Sequence, residues 1–199
     1  MTSKLIGREK ECTELKRCYD ADRSEFVIVY GRRRVGKTFL VDQYFSGVYD
    51  FSFVGGHKLP KQRQLRNFAK ALKKYSKAEK EQKFADWFEA FDALEEYLES
   101  LSRDKKKVVF IDEMPWIDSV KSDFVDALEN FWNSWAARRN DILFIASGSA
   151  TSWMVDKLIE NQGGLHARIT SSIYLRPFNL YETELYLLSK SCKWDRYQM

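Results

Sequence analysis

GRRRVGKT, residues 31–38, separates a short apolar run, residues 26–30, from a helix-like stretch, residues 39–45. These eight residues fit the pattern GxxxxGK[ST]. In that pattern, glycines let the backbone turn tightly near an anion, and the helix that follows offers free N–H groups to phosphate. Strand, glycine-rich loop and helix follow one another in the order this chemistry needs. We therefore predict that the loop binds the phosphates of a nucleoside triphosphate.

The positions of this loop have different expected roles. Lys37 brings a positive charge to the phosphates, and the hydroxyl of Thr38 is expected to take one position on the accompanying Mg²⁺. The pattern does not fix the three arginines, so a partner contact and plain solubility both stay open for them. The remaining positions expected to contact the nucleotide are Gly31, Arg32, Arg33, Arg34, Val35, Gly36 and Phe39.

The third strand candidate, residues 107–113, ends in two adjacent carboxylates, Asp112 and Glu113. Ligands bind at the carboxyl edge of an open α/β sheet, which is where this pair is predicted to lie. We expect Asp112 to hold Mg²⁺ through water and Glu113 to orient or deprotonate the attacking water. The structural alternative is a pair of acids that only begins a turn after a buried strand.

Two further stretches offer polar groups to the same site. The strand candidate ILFIASGS, residues 142–149, ends in small polar residues, and we favour Ser149 over Ser147 as the hydroxyl that contacts the γ-phosphate or the lytic water. A helix cap is the alternative there. Arg168 follows a glycine turn, and its planar guanidinium suits phosphate. It is predicted to act as an arginine finger, in its own subunit or on a neighbour, and a surface arginine is the alternative.

Strand candidates alternate with helical patterns along the chain, which predicts a mainly parallel sheet covered by helices on both faces. Aromatic and aliphatic residues recur at helical spacing between residues 65 and 101, and we interpret them as core rather than as a ligand-stacking surface. A helix is expected over residues 123–137, and Asn179 or Tyr181 is expected near the cap of the last helix. The five predicted strands are residues 26–30, 49–54, 107–113, 142–146 and 169–175.

Composition narrows the class of protein. A chain of 199 residues with 44% hydrophobic and 31% charged residues fits one globular domain. Its net charge of +4 is compatible with solvated helix faces and also with a surface for nucleic acid or an acidic partner.

Three cysteines without CxxC spacing indicate free thiols in a reducing compartment. Without a signal-peptide core or a membrane-spanning run, the sequence predicts a cytoplasmic protein with no membrane partner.

Taken together, the motifs resemble those of the P-loop ATPases of the AAA+-like branch, and within it the archaeal-type ATPases related to the STAND NTPases. The loop and the Asp-Glu pair correspond to the Walker A and Walker B motifs of that superfamily. Two positions depart from the pattern: the strand ending at Ser149 lacks an arginine seen in many STAND proteins, and Ala167 replaces a common glycine. The stretches that carry the resemblance are IGREKE (6–11), YGRRRVGKT (30–38), FIDEMPW (110–116), GSATSWM (148–154), LHARI (165–169) and LRPF (175–178).

The resemblance implies a three-layer αβα sandwich whose five strands have the order 5-1-4-3-2. It also implies that adenine lies near the backbone of Ile6 and Gly7. Fuller members of the family continue into a helical lid or winged-helix region, and often into a nuclease-like domain. We expect residues 1–199 to form a single ATPase core without that continuation.

The leading functional hypothesis is hydrolysis of ATP to ADP and phosphate with Mg²⁺, as a motor or switch for an attached or partner domain. A nucleotide-dependent signalling switch with little hydrolysis is the main alternative. A P-loop kinase is less favoured because Glu113 next to Asp112 suits a water nucleophile, and a GTPase because no NKxD motif is present. Homo-oligomerisation and the client, whether nucleic acid or protein, stay open.

Overall fold

The computed structural model describes residues 5–102, 104–119, 122–149, 151–160, 165 and 167–192. Seven α-helices and five strands alternate along these ranges in the way the hydrophobic pattern predicts. No helix in the described ranges combines the length and the apolar character needed to span a bilayer. The strands are β1 (Glu25–Tyr30), β2 (Phe51–Val54), β3 (Lys107–Asp112), β4 (Ile142–Gly148) and β5 (Ser171–Tyr174), and the helices are α1 (Glu9–Asp20), α2 (Lys37–Tyr44), α3 (Lys61–Ser76), α4 (Trp87–Ser100), α5 (Phe124–Asn130), α6 (Thr151–Met154) and α7 (Leu180–Ser189).

All five strands pair in parallel, in the order β2-β3-β4-β1-β5. Counted from the other edge, this is the predicted order 5-1-4-3-2, which is confirmed. The register aligns the ends of neighbouring strands, since Tyr30 pairs with both Gly148 and Tyr174, and Val54 pairs with Asp112. The phosphate loop and the Asp-Glu pair therefore leave the sheet at the same carboxyl edge.

Successive residues of the strands point to opposite faces of the sheet, which builds two apolar layers. In β1, Phe26 and Ile28 face the layer formed with α3, α4 and α5, whereas Val27 and Val29 face the layer formed with α1 and α2. All four side chains are fully buried. The three-layer αβα architecture is therefore confirmed.

Two helices, α4 and α7, begin at side chains that cap them. The Asn179 side chain accepts a hydrogen bond from the Glu182 backbone N–H, and the Glu182 carboxylate accepts one from the Asn179 backbone N–H, so the predicted cap of α7 is a complete capping box. In α4, Asp86 accepts from the Glu89 backbone N–H at 3.0 Å. These contacts fix where both helices begin.

The helix predicted over residues 123–137 is not continuous. The α-helix Phe124–Asn130 passes into a π-helical turn, Phe131–Trp135, and then a 3₁₀ turn. Phe131 and Trp132 are neighbours in sequence, yet both are buried, against Phe91 and Phe26 respectively. A regular α-helix would rotate successive side chains by about 100°, so the wider turn helps both rings to reach the core.

Candidate functional site

The phosphate loop begins and ends at glycines with positive φ. Gly31 has φ +147°, and a Cβ at this position would lie 2.4 Å from the carbonyl oxygen of Leu175, at the end of β5. Gly36, with φ +98°, is the N-cap of α2. Only glycine adopts both conformations without strain, so the two fixed glycines of the pattern each have a local structural cause.

Lys37 is the buried cation of the loop. Its side chain is 5% exposed, and its Nζ donates to the carbonyl oxygens of Gly31 at 3.2 Å and Arg32 at 3.0 Å. Burial lowers the pKa of this ammonium from its ordinary value, while the carboxylates of Glu113 and Asp112 act to raise it. These two hydrogen bonds go to neutral carbonyls, so phosphate oxygens would be stronger partners.

Asp112 is held by donors from three parts of the chain. Its Oδ2 accepts from the Thr38 hydroxyl at 2.8 Å, and its Oδ1 accepts from the buried Ser147 hydroxyl and, at 2.9 Å, from the Glu113 backbone N–H. The carboxylate is 4% exposed. The phosphate loop and β3 are thus joined through the two residues that the sequence assigns to a metal.

Glu113 lies half-buried just beyond β3, in a left-handed conformation with φ +50°. Its Oε2 accepts a hydrogen bond from the Ser149 hydroxyl at 3.1 Å. The turn after β2 closes against it, because a Cβ on Gly55 would lie 2.4 Å from the Glu113 carbonyl oxygen. Its side chain is consequently oriented by the end of β4.

The two serines at the end of β4 have different contacts. Ser147 is buried on Asp112, and Ser149 is partly accessible on Glu113. Gly148 between them allows close packing, since a Cβ there would lie 2.7 Å from Cδ of Pro115 and 2.8 Å from the sulfur of Met154. Both serines therefore contact the Asp-Glu pair, and the role of Ser149 at the γ-phosphate stays a prediction.

A largely apolar cavity of about 540 Å³ lies beside the phosphate loop. It brings together Ile6, Arg34, Val35, Gly36 and Phe39, all predicted to contact the nucleotide. Gly7, with φ +50°, packs closely against α7, because a Cβ at this position would lie 2.7 Å from Cγ of Glu182. The remaining lining residues are Leu5, Arg8, Leu40, Phe178, Tyr186, Ser189 and Lys190.

Arg8 is a residue of this cavity that the sequence reasoning did not identify. It is buried, with an Nη donating to the Arg176 carbonyl oxygen at 2.8 Å and its guanidinium 4.6 Å from the ring centroid of Phe178. The signal was present, since both the IGREKE and LRPF stretches carry the family resemblance. Sequence spacing gave no indication that the two stretches meet.

The other two arginines of the loop, Arg32 and Arg33, are exposed. The Arg33 guanidinium lies 6.0 Å from the ring of Trp116, which also has the imidazole of His57 against it at 4.1 Å. The described structure thus places Arg33 at the rim of the site, and Arg34 at the cavity wall.

Arg168 lies away from this cluster within its own chain. Its backbone precedes Thr170, whose N–H donates to the carbonyl of Phe26 at the start of β1, whereas the phosphate loop follows the end of β1 at Tyr30. The four residue steps between Phe26 and Tyr30 span about 13 Å. Arg168 therefore belongs to the amino edge of the sheet. The glycine turn predicted before it, residues 163–164, lies outside the described residues.

A metal at this site would have to be a hard cation. The donors at hand are the Thr38 hydroxyl and the Asp112 carboxylate, which suit Mg²⁺ completed by water and nucleotide phosphates. Within the described part of the chain, no three His, Cys, Asp or Glu residues are grouped to hold an ion by themselves. The residues present thus fit a magnesium that arrives with its nucleotide.

Gln64 of α3 is a second residue that the sequence reasoning missed. It is fully buried, donates to the carbonyl oxygens of Gly56 at 2.7 Å and Trp116 at 2.8 Å, and accepts from the Gly56 N–H. It ties α3 to the turns that follow β2 and β3. A polar residue beside Leu65 in the apolar face of a helix was the available signal.

Comparison with known proteins gives relatives in sequence and in structure. An uncharacterized protein of Methanocaldococcus jannaschii is 26% identical over 179 residues, which cover 87% of this chain and 36% of that protein. The Walker-type ATPase PABY2304 of Pyrococcus abyssi has a TM-score of 0.64 at 17% identity, covering 97% of this chain and 61% of that one. The ORC2 protein of Aeropyrum pernix, solved in ADPNP–ADP complexes, has a TM-score of 0.67 at 17% identity, covering 98% and 55%.

This chain spans 36% of the length of its Methanocaldococcus relative and 61% and 55% of the two solved structures. At such identities the two structures show the shared fold. The family assignment comes from a sequence model of an ATPase domain found predominantly in Archaea, which matches residues 5–192. The chain therefore belongs to this family of archaeal-type P-loop ATPase domains.

Proposed function

We propose that this domain binds ATP with Mg²⁺ and hydrolyses it to ADP and phosphate. The observation that carries the proposal is the junction of loop and strand. Thr38 donates to Asp112 at 2.8 Å, and the next residue, Glu113, is oriented by Ser149 at 3.1 Å. A phosphate-binding loop thus meets a carboxylate that is available for a water molecule.

The remaining parts of the site would bind and orient the nucleotide. Lys37 and the backbone N–H groups at the start of α2 would hold the phosphates. The cavity beside Ile6 would take the base, with Phe178 and Tyr186 among its walls. Thr38 and Asp112 would hold Mg²⁺, which, when bound, neutralises charge on the phosphates.

In the hydrolytic step, a water oxygen attacks the γ-phosphorus while the bond to the bridging oxygen of ADP breaks. Glu113 would orient this water and take its proton at Oε1 or Oε2. The hydrogen bond from Ser149 keeps the carboxylate in place. Because Arg168 lies at the amino edge of its own sheet, we propose that it contacts the γ-phosphate of a neighbouring subunit.

Exchange of Glu113 for glutamine tests this proposal. We expect Glu113→Gln to bind ATP as the wild type does, but to release phosphate at least about 100-fold more slowly, because general-base catalysis is lost. The matched control is Glu96→Gln on the exposed side of α4. An unchanged rate of phosphate release in Glu113→Gln would remove the assigned role.

A nucleotide-dependent switch is the second candidate, and the hydrogen bonds of the site support it. Lys37 binds carbonyls of its own loop, and Glu113 binds Ser149, so both would exchange partners when a triphosphate enters. Brisk turnover by the isolated chain would argue against a switch. A phosphorylated product in place of free phosphate would indicate a kinase.

We also propose a cellular compartment and a partner for this activity. Cys12, Cys18 and Cys192 are free thiols, which supports a reducing compartment such as the cytoplasm. Because the chain spans 36% of its Methanocaldococcus relative, we propose that the domain drives or reports to an attached domain or a protein partner.

A further inference from the structure

Helix α3 concentrates the positive charge of the chain. Its 16 residues include six Lys or Arg and no Asp or Glu. The helix thus contributes +6 to a chain whose net charge is +4, so the rest of the chain carries −2. Such segregation is unusual for a helix that serves only to cover a core, where opposite charges at i, i+4 stabilise the exposed side.

The exposed cations form one line on the helix. One face of α3 is buried, through Gln64, Leu65, Phe68, Ala69 and Leu72. The opposite face has cations at intervals of three or four residues, which places them in a single row about 20 Å long at 1.5 Å per residue. We call this surface the basic row: Arg63, Arg66, Lys70 and Lys74 lie on α3, Lys77 follows as its C-cap residue, and all five are exposed.

Little within the described structure neutralises the basic row. Arg66 has one ion pair, with Glu81 at 3.9 Å, and no other member is ion-paired among the described residues. The neighbouring α4 has five acids and no base, yet no ion pair joins the two helices in the ranges described. Arg66, Lys70 and Lys74 follow one another at i, i+4, so the row repels itself and favours an external anion.

The residue types of the basic row favour one class of anionic partner over others. An interfacial membrane helix needs an exposed apolar face, whereas Phe68 and the other apolar residues of α3 are buried in the core. Single-stranded nucleic acid is held by exposed aromatic rings, and the row contains none. A straight line of Arg and Lys fits the regular phosphates of a duplex backbone.

We propose that the basic row binds the phosphate backbone of duplex DNA. The first turns of α3 lie near the carboxyl edge of the sheet, because Gln64 on the opposite face of the helix hydrogen-bonds Gly56 and Trp116. The proposal does not depend on ATP hydrolysis, and it is tested without nucleotide.

The test is fluorescence anisotropy with a labelled 30-base-pair DNA duplex. Wild-type protein should bind it with a log–log salt slope of about −4, as expected for four to five neutralised phosphates. The double variant Lys70→Glu/Lys74→Glu should bind at least about 10-fold more weakly, with a slope smaller in size by about 2. Lys70→Gln/Lys74→Gln should show the same direction with a smaller loss, which separates lost contacts from added repulsion.

The matched control is Lys10→Glu/Lys157→Glu, which changes the net charge by the same −4 at two exposed lysines away from the row. We expect it to keep most of the affinity. Circular dichroism and thermal melting verify that each variant folds.

Four results would overturn the proposal. An equal loss in the control would show that only total charge matters, and tighter binding of polyglutamate than of DNA would identify an acidic protein partner. Tighter binding of single-stranded DNA would exclude a duplex-specific surface. Self-association that disappears with salt and with Lys70→Glu/Lys74→Glu would identify α4 of a second copy as the partner.

Discussion

Two buried lysines lie at opposite edges of the sheet and have opposite surroundings. Lys107, at the amino edge, is 2% exposed and donates to Asp141 at 2.6 Å, while Arg139 binds the same carboxylate through two further hydrogen bonds. Lys37, at the carboxyl edge, is 5% exposed and donates to two backbone carbonyls. The charge of Lys107 is thus paired with a carboxylate, whereas the charge of Lys37 is hydrogen-bonded to neutral carbonyls of its loop.

This difference separates a structural charge from one suited to a ligand. A buried ion pair repays part of its desolvation when its geometry is good, and breaking it leaves an uncompensated charge. Among the residues that the structure describes, Lys37 has no such ion-pair partner, although Asp112 and Glu113 are near enough to act on its pKa. The proposed phosphate contact would give this buried charge the anionic partner that Lys107 already has.

The largest expected effect is on nucleotide binding at Lys37. We expect Lys37→Ala to weaken ATP binding by about 1,000-fold, equivalent to about 4.1 kcal/mol, because charge-assisted hydrogen bonds to phosphate are lost. Stability without nucleotide should not fall, since burial disfavours this charge. Isothermal titration with ATP measures the affinity, and an unchanged dissociation constant would contradict the comparison.

The next effect is on stability at Lys107. We expect Lys107→Ala to lower the free energy of unfolding by about 3 kcal/mol, because it opens a cavity and removes one cation from Asp141. Arg139 remains on the carboxylate, which limits the loss. Urea unfolding measures the change. If Lys107→Ala left the free energy of unfolding unchanged, the ion pair at the amino edge would not contribute to stability.

The smallest expected effect is a pH dependence of stability that comes from the Asp141 carboxyl. Burial raises the pKa of its carboxyl, but hydrogen bonds from Arg139 and Lys107 outweigh this and lower it to about 2. Because the pKa of Asp141 is lower in the folded than in the unfolded state, the ionised carboxylate stabilises the fold at pH values above the unfolded-state pKa near 4. That stabilisation is lost as the pH falls toward 2.

We therefore expect the wild type to lose about 2 kcal/mol through this group between about pH 4 and pH 2. The Asp141→Asn variant should be less stable at pH 7 but have a flatter profile over this range. Parallel urea titrations of the two proteins at several pH values measure it. Identical profiles would show that Asp141 titrates normally.

Local pattern predicted the fold because each feature depends on neighbouring residues. The Gly31 and Gly36 conformations, the apolar strand before Asp112 and the cap at Asn179 are all specified within a few positions. The break at Phe131 was missed, because helical periodicity does not reveal two adjacent rings that both enter the core.

The missed parts of the site depend on contacts between distant segments. Arg8 meets Arg176 and Phe178 across almost the whole chain, and Gln64 meets Trp116 through the sheet edge. The division between Ser147 and Ser149 follows from the register of β4 against β3. The position of Arg168 likewise required the pairing of β5 with β1. Spacing along the sequence does not encode these relations.

The most direct measurement is the shift in melting temperature caused by Mg-ATP in wild type, Lys37→Ala and Lys107→Ala. ATP at about 100 times its dissociation constant should stabilise the wild type by about 2.7 kcal/mol, a rise of roughly 5–10 °C. We expect Lys107→Ala to melt lower but to show the same shift, and Lys37→Ala to show almost none. An equal shift in Lys37→Ala would contradict the assignment of this loop as the nucleotide site.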